Sequence, residues 1–154
     1  MPAPRDGTPP RWLKPTNRVM LALKRLGLGM KALPVLTLPG RRSGQPRRTP
    51  VSVLDSDGGR YLLCGYPTAE WPRNARANGG RGTLDVNGVV ERIRLVELDG
   101  QDALRILRAW PVEIPHGAKI MKDAGVVEHV TPEAFASLLG VCPVFRIEHD
   151  GPAG

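Results

Sequence analysis

The order of apolar and polar residues predicts a chain built mainly from short strands. Apolar runs bounded by turn residues indicate strands, and an apolar stripe repeating every three or four residues indicates a helix. Six strands are predicted, at Leu33–Leu38, Arg48–Leu54, Tyr61–Gly65, Arg81–Asn87, Val89–Leu98 and Pro143–Glu148. Helices are predicted at Asn17–Leu28, from a Thr68 cap to Asn78, at Asp102–Trp110, and from a Thr131 cap to Leu139.

Turn residues predict how these elements are connected. Asp55–Gly59 and the pair Asn87-Gly88 are typical of tight hairpins, because Asn, Asp and Gly tolerate a positive φ angle. Pro111 should end the third helix, and Val112–Val130 should be a connector or a loop beside a pocket. Hairpins build antiparallel sheets. The pattern therefore predicts an α+β protein that is mainly β, a barrel of about six antiparallel strands with flanking helices.

Length and charge indicate one domain with a basic front section. A chain of 154 residues is long enough to bury a core. We predict a mobile segment over residues 1–16, which is rich in proline, and a single domain over residues 17–150 that begins with the N-terminal helix. Residues 1–48 hold eleven Lys or Arg and one Asp, a net charge of +10, whereas the whole chain carries +7. This asymmetry favours an anionic partner such as nucleic acid, acidic lipid or an anionic cofactor.

The cysteine, histidine and hydropathy patterns bear on disulfides, metal sites and cellular location. The two cysteines and three histidines are widely separated, so we expect no disulfide framework and no metal site. The sequence has no signal peptide and no apolar run approaching a membrane span, which predicts a cytoplasmic protein. For the basic helix Asn17–Leu28 two interpretations stay open: ordinary packing on the barrel, or peripheral contact with an anionic membrane.

Four arginines gather in the turn between the first two predicted strands. Arginine offers planar, bidentate donors that suit phosphate or carboxylate, and backbone amides of a Gly-rich turn can add more. From charge alone, a solvated loop is the commoner explanation of such a turn. The arginines are Arg41, Arg42, Arg47 and Arg48, and the turn-forming residues around them are Pro39, Gly40, Gly44 and Pro46.

The residues of this turn resemble a known signature. GRRSGQPRRTPV, residues 40–51, is similar to the GRKSGQPR-x-x-PL run of the deazaflavin-dependent nitroreductase family, with Arg42 where Lys is usual. AEWPRNARAN, residues 69–78, resembles the family's W-x-x-N-L-x-A-N helix, with Ala75 in place of Leu. Pro143–Glu148 resembles the closing PVFRIE strand. The resemblance implies the split β-barrel of the flavin and deazaflavin oxidoreductases.

The resemblance also implies an activity and its residues. It implies an F-420-dependent oxidoreductase of the nitroreductase family, in which hydride passes from reduced deazaflavin to an enone, a quinone or a nitroaromatic acceptor. The implied cofactor-binding residues are Arg41, Arg42, Ser43, Gly44, Gln45, Pro46, Arg47, Thr49, Pro50, Val51, Cys64, Gly65, Trp71 and Asn74. Arg42 and Arg47 would meet the phosphate and the glutamate tail. Pro50, Val51, Cys64 and Gly65 would line the ring. Tyr66 and His116 are the candidate proton donors.

Other ligands and functions remain open at this stage. FMN is the alternative cofactor, because its phosphate would use a similar site, although the arginine excess favours the longer anionic tail of F-420. A split barrel could also bind a cofactor or lipid without turnover. A basic OB-like barrel would bind nucleic acid through exposed aromatic platforms, but aromatic residues make up 5% of the chain, so we expect no nucleic acid. The expected partner is a small-molecule hydride acceptor, and the expected state is a monomer or homodimer.

Overall fold

The computed structural model describes residues 33–151. The strands are β1 (Val35–Pro39), β2 (Pro46–Pro50), β3 (Leu54–Ser56), β4 (Gly59–Leu63), β5 (Arg81–Val86), β6 (Val89–Leu98) and β7 (Val144–His149). The helices are α1 (Trp71–Ala77), α2 (Gly100–Glu113), α3 (Pro115–Asp123) and α4 (Pro132–Ala136). The predicted segment 1–16 and helix Asn17–Leu28, with its membrane interpretation, lie outside the described residues. Within residues 33–151 no helix has the length and hydropathy needed to cross a membrane.

The seven strands join in one antiparallel sheet, in the order β2-β1-β5-β6-β7-β4-β3. β2 and β3 are its two edges, yet only residues 51–53 separate them along the chain. That link spans at most about 14 Å, whereas a flat sheet of seven strands would set its edges about 29 Å apart. The sheet must therefore curl until its edges approach each other. The predicted split barrel is confirmed, with seven strands instead of six.

The extra strand comes from the region predicted as one strand over Arg48–Leu54, and that prediction is wrong. β2 pairs only with β1, and β3 pairs only with β4. The chain thus leaves one edge of the sheet and joins the other, and one straight strand cannot satisfy both pairings. Between them the Val51 amide donates to the Pro34 carbonyl oxygen at 2.9 Å, which ends the pairing with the β1 side.

Both predicted hairpin turns are confirmed. Asp57 and Gly58 have φ angles of 50° and 77° between β3 and β4, and Asn87 and Gly88 have 52° and 87° between β5 and β6. Two consecutive positive φ angles define the turn whose twist matches that of antiparallel strands. These connections are determined by short-range sequence, which explains why they could be predicted.

Side-chain alternation places two apolar cores on opposite faces of the sheet. The α1 face packs with Trp71 and Ala75 of α1; its buried strand residues include Leu36, Leu38, Leu62, Leu84, Ile93, Phe145 and Ile147. The α2 face packs with α2, α3 and α4; its buried members include Leu54, Tyr61, Ile106, Leu107, Met121, Phe135 and Val144. Neighbours along β4 and β7, such as Tyr61 and Leu62, therefore belong to different cores. The sheet is covered on both sides at β4 and β7.

Helix α2 does not stop at Pro111, contrary to the prediction. Pro111 lies in its last turn, and the Ile114 amide closes the helix on the Trp110 carbonyl at 2.7 Å. A proline within a helix costs about 3 kcal/mol. Burying Ile106, Leu107 and Trp110 on the same helix outweighs this, since each such side chain contributes about 1.5–3 kcal/mol.

The prediction of a connector over Val112–Val130 is also wrong, because the segment contains helix α3. Pro115 in the first turn and Gly117 gave a weak helical pattern. The helix is stabilised by packing, since Ala118 and Met121 are buried on the α2 face. Packing of this kind has no short-range sequence signal.

The remaining two helices differ less from prediction. α1 begins at Trp71 with Glu70 at the cap position, so the predicted cap at Thr68 is wrong. α4 begins as predicted, with Thr131 Oγ1 accepting a hydrogen bond from the Ala134 amide at 3.2 Å, although it ends earlier, at Ala136. Strand β7 confirms the predicted closing strand.

Candidate functional site

The turn between β1 and β2 is a compact loop in which two backbone amides have no hydrogen-bond acceptor among the described residues. The Gly40 amide donates to the Gln45 carbonyl at 2.8 Å, and the Gly44 amide donates to the Gly40 carbonyl at 2.8 Å. The Gln45 amide donates to Ser43 Oγ at 3.2 Å. Gly44 has φ 72°, which favours glycine. The amides of Arg42 and Ser43 have no hydrogen-bond acceptor within residues 33–151 and can serve an anion.

Arg41 ties this turn to helix α1. Its amide and its Nη1 both donate to Asn74 Oδ1, at 3.1 Å and 3.0 Å, and Nη1 also lies 2.6 Å from Glu70 Oε2. Asn74 is 4% exposed, so its oxygen would be costly to bury without these donors. Arg41 also lowers the pKa of Glu70, with smaller effects from Arg73 and Arg42. Two of the three sequence stretches that carry the family resemblance, residues 40–51 and 69–78, therefore contact each other.

Strand alternation sends the two arginines of β2 to different faces. Arg47 pairs with Leu38 and lies on the α1 face, whereas Arg48 pairs with Thr37 and lies on the opposite face. Thr49, two residues after Arg47, shares its face. Arg47 and Thr49 are thus on the side that holds α1 and the Arg41 contacts, and Arg48 is not.

Arg42 and Arg47 are exposed and have no carboxylate partner in the part of the chain that the structure describes. Arg73, at the exposed side of α1, adds a third positive charge close enough to Glu70 to lower its pKa. The sequence reasoning missed Arg73. Its signal was the position immediately before Asn74 of the helix motif. Three arginines thus act on Glu70 beside the turn, and the described surroundings of the turn carry more positive than negative charge.

Three residues predicted to contact the cofactor pack instead in the core of the α1 face. Cys64 is 1% exposed, and its thiol donates to the Tyr66 carbonyl at 3.1 Å. Burial raises the pKa of Cys64 to about 11, so it stays a thiol. Trp71 lies 5.1 Å from the Phe145 ring, centroid to centroid, and Val51 is buried nearby in the same core. In a ligand site these three side chains would support the ligand from the core.

Helix α3 closes the region around the end of β4. A Cβ on Gly65 would lie 3.3 Å from Met121 Cγ, and one on Gly117 would lie 3.7 Å from Ser52 Oγ. α3 therefore packs against both Gly65 and the link between β2 and β3. His116 is exposed at the start of this helix.

Tyr66 carries a buried hydroxyl that no residue of the structure satisfies. Leaving such a donor unpaired costs about 1–3 kcal/mol. Burial raises the pKa of Tyr66, so the group stays protonated at neutral pH and is a hydrogen-bond donor. No contact joins it to His116 within the described residues. Of the two candidate proton donors, His116 is exposed and Tyr66 carries a buried hydroxyl with unused hydrogen-bonding capacity.

The comparisons with known proteins agree on the fold. No protein-family model matches the sequence, and no curated protein sequence matches it significantly. A solved F-420-H2-dependent reductase (FDR-A) superposes with a TM-score of 0.51 and 19% identity, over 75% of this chain and 92% of that one. The two chains share a fold, and the fold of this chain is a split β-barrel. A second solved structure, described as a domain-swapped dimer, superposes with a TM-score of 0.53 and 20% identity, over 89% of this chain and 97% of that one.

Proposed function

We propose that this protein is an F-420-dependent oxidoreductase that transfers hydride to an activated acceptor, an enone, a quinone or a nitroaromatic. One observation carries the proposal: a turn held on α1 presents two exposed arginines, and the amides of Arg42 and Ser43 have no acceptor within residues 33–151. The sequence resemblance and the solved F-420-H2-dependent reductase of the same fold support it.

The residues present suit the anionic part of F-420, its phosphodiester and glutamate tail. Arg42 and Arg47 supply charge-assisted donors, and the amides of Arg42 and Ser43 supply neutral ones. Each charge-assisted contact contributes about 1.5–3 kcal/mol. Arg73 adds positive charge at longer range. Arg41 is already bound to Asn74 and Glu70 and is less available to a ligand than predicted.

The rest of the site would position the reactants. When bound, the deazaflavin supplies the hydride, and the protein orients the two partners and excludes water. Pro50 and Gly65, both half-buried, would contact the ring, and Cys64 and Val51 would support it from the core. Tyr66 would donate its proton to the oxygen of the acceptor. Cys64 remains a packing residue, because a thiol of raised pKa is a poor nucleophile.

FMN is the second candidate cofactor, because its single phosphate could use the same arginines and amides. A split barrel that binds either cofactor without turnover has the same site. The likeness to a domain-swapped dimer makes a homodimer the assembly to look for by mass measurement in solution.

The first experiment is a titration of F-420 and, separately, FMN, followed by cofactor and tryptophan fluorescence. We expect saturable F-420 binding and weaker FMN binding, followed by turnover of at least one quinone, enone or nitroaromatic. Arg47→Ala should weaken F-420 binding by about 1–3 kcal/mol. Arg92→Ala is the control, because Arg92 is also an exposed strand arginine but lies on β6, away from the turn.

The outcomes separate the candidates. Equal losses of F-420 affinity in Arg47→Ala and Arg92→Ala would mean that the net charge of the protein, and not this turn, attracts the cofactor. Tighter binding of FMN than of F-420 would favour the flavin. Binding without turnover of any acceptor would favour a cofactor-binding protein, and no binding of either cofactor would overturn the proposal.

A further inference from the structure

The geometry points to Arg41 as a positioning residue: it holds the turn on α1 so that Arg42, Arg47 and the two unbonded amides converge on one anion, without binding that anion itself. The inference rests on the proposed function and concerns the same site. It divides the arginines of the turn into one that fixes the loop and others that bind.

The contacts of Arg41 direct its Nη1 to α1 and place its positive charge beside a carboxylate. Its Nη1 is shared between Asn74 Oδ1 and Glu70 Oε2, and its amide also donates to Asn74 Oδ1. The Arg41 side chain is 22% exposed, and its Nη1 lies 2.6 Å from the carboxylate of Glu70. An anion approaching Arg41 would have to displace or lie beside the carboxylate of Glu70, which repels it.

The same contacts determine where the binding groups lie. Arg42 and Ser43, whose amides are unbonded, directly follow Arg41 in the chain, and β2, which carries Arg47, is an edge strand. Beyond its pairing with β1, the turn is held by three internal bonds and by the Asn74 contact. Without that contact the ligand would have to order the loop on binding, which lowers affinity.

Asn74 makes the inference testable, because it carries no charge. A direct anion contact depends on charge, whereas a positioning contact depends on the hydrogen bonds between Arg41 and Asn74. Asn74→Ala should therefore weaken anion binding although the charge of the site is unchanged. Arg41→Lys should do the same although its positive charge is retained, since an ammonium cannot reproduce the planar donors.

Amide hydrogen exchange of the protein without ligand tests the positioning role independently of any cofactor. We expect faster exchange over residues 40–45 in Arg41→Ala, Arg41→Lys and Asn74→Ala. Arg76→Ala is the matched control: Arg76 is on the same helix and forms a bidentate pair with Glu97, at 2.8 Å and 2.8 Å, that does not touch the turn. Exchange as slow as in the wild type in all three turn variants would overturn the inference.

Titration of F-420 into the same variants tests the link to binding. Arg41→Ala and Asn74→Ala should each raise Kd about tenfold, and the double variant should raise it little further, because both remove one interaction. Arg76→Ala should stay within about twofold. Additive losses from Arg41→Ala and Asn74→Ala, or wild-type affinity in Arg41→Lys, would show that Arg41 binds the anion directly. A wild-type protein that binds no F-420 would instead overturn the proposed function, while the exchange data would still decide whether Arg41 holds the turn.

Discussion

Three arginines of the sheet and two arginines at the turn between β1 and β2 have opposite surroundings. Arg60 of β4 makes a bidentate pair with Glu91 at 2.9 Å and 2.8 Å. Arg94 and Arg146 share Glu148. Arg42 and Arg47 face no carboxylate in the described part of the chain. The charge of these paired arginines is neutralised by carboxylates of the sheet, whereas that of Arg42 and Arg47 is available to an outside partner.

The two tyrosines of the chain show the same contrast. Tyr61 Oη accepts a hydrogen bond from Arg105 Nη2 at 3.2 Å, and the Arg105 guanidinium lies 5.5 Å from the centre of the Tyr61 ring. Tyr66 Oη is buried without a partner. Within residues 33–151 the hydroxyl of Tyr61 is thus satisfied, and that of Tyr66, which we propose as proton donor, is not. An unsatisfied group is therefore the better indicator of function here.

The largest effect is expected when Arg42 and Arg47, the two arginines of the proposed anion site, are removed together. Arg42→Ala with Arg47→Ala should weaken F-420 binding by at least about 3 kcal/mol, more than about a hundredfold in Kd. The matched control is Arg94→Ala with Arg146→Ala, which removes the same charge from the paired sheet arginines. Titration should show near-normal affinity in the control. A comparable loss there would remove the distinction between paired and unpaired arginines.

A smaller effect is expected from replacing each tyrosine by phenylalanine, and it should distinguish the roles of Tyr61 and Tyr66. Tyr66→Phe should lower kcat about tenfold to a hundredfold, if acceptor protonation limits turnover, because the hydroxyl is the proton donor. Its free energy of unfolding should not fall, because the deleted hydroxyl has no partner in the protein. Tyr61→Phe should behave in the opposite way, with normal turnover and a loss of about 0.5–1.5 kcal/mol of stability. Steady-state kinetics and denaturant unfolding of both variants test the pair. A Tyr66→Phe enzyme that is less stable but fully active would assign Tyr66 to the framework.

The smallest effect concerns a paired arginine. Arg60→Ala should lower the free energy of unfolding by about 1 kcal/mol at neutral pH and leave F-420 binding unchanged. Arg60 is the main cause of the depressed pKa of Glu91, about 2 instead of 4.5, with a further contribution from His149. The depressed pKa means that this stabilisation is present above pH 4.5 and is lost as pH falls through about 2. The stability difference between wild type and variant should therefore shrink across that range. A difference independent of pH would rule out the ion pair as its cause.

The short-range features of this protein could be predicted from sequence. The turns at Asp57-Gly58 and Asn87-Gly88 require positive φ angles that few residues tolerate, and the Thr131 cap acts on an amide three residues away. The resemblance of residues 40–51 also indicated the turn that we propose as the anion site. Each of these signals lies within a few residues of the structure that it specifies.

Helix α3 and the break between β2 and β3 could not be predicted in this way. α3 has Pro115 and Gly117 near its start and is held by burial of Met121 under other elements. β2 ends at Pro50, which pairs with Val35, the first residue of β1. β3 begins at Leu54, which pairs with Tyr61 of β4. These boundaries depend on neighbours that are distant in sequence.

The sequence by itself determined the strands, most of their turns and the accumulation of arginines in one loop, because hydrophobic period, turn chemistry and charge are local properties. The tertiary structure decided how those arginines differ. Arg41 meets Asn74 and Glu70 across 33 and 29 residues of chain, Arg48 is turned away by the pairing of β2, and only Arg42 and Arg47 keep their charge on the α1 side. Four identical side chains acquire different roles because their partners come from packing, which no local pattern records.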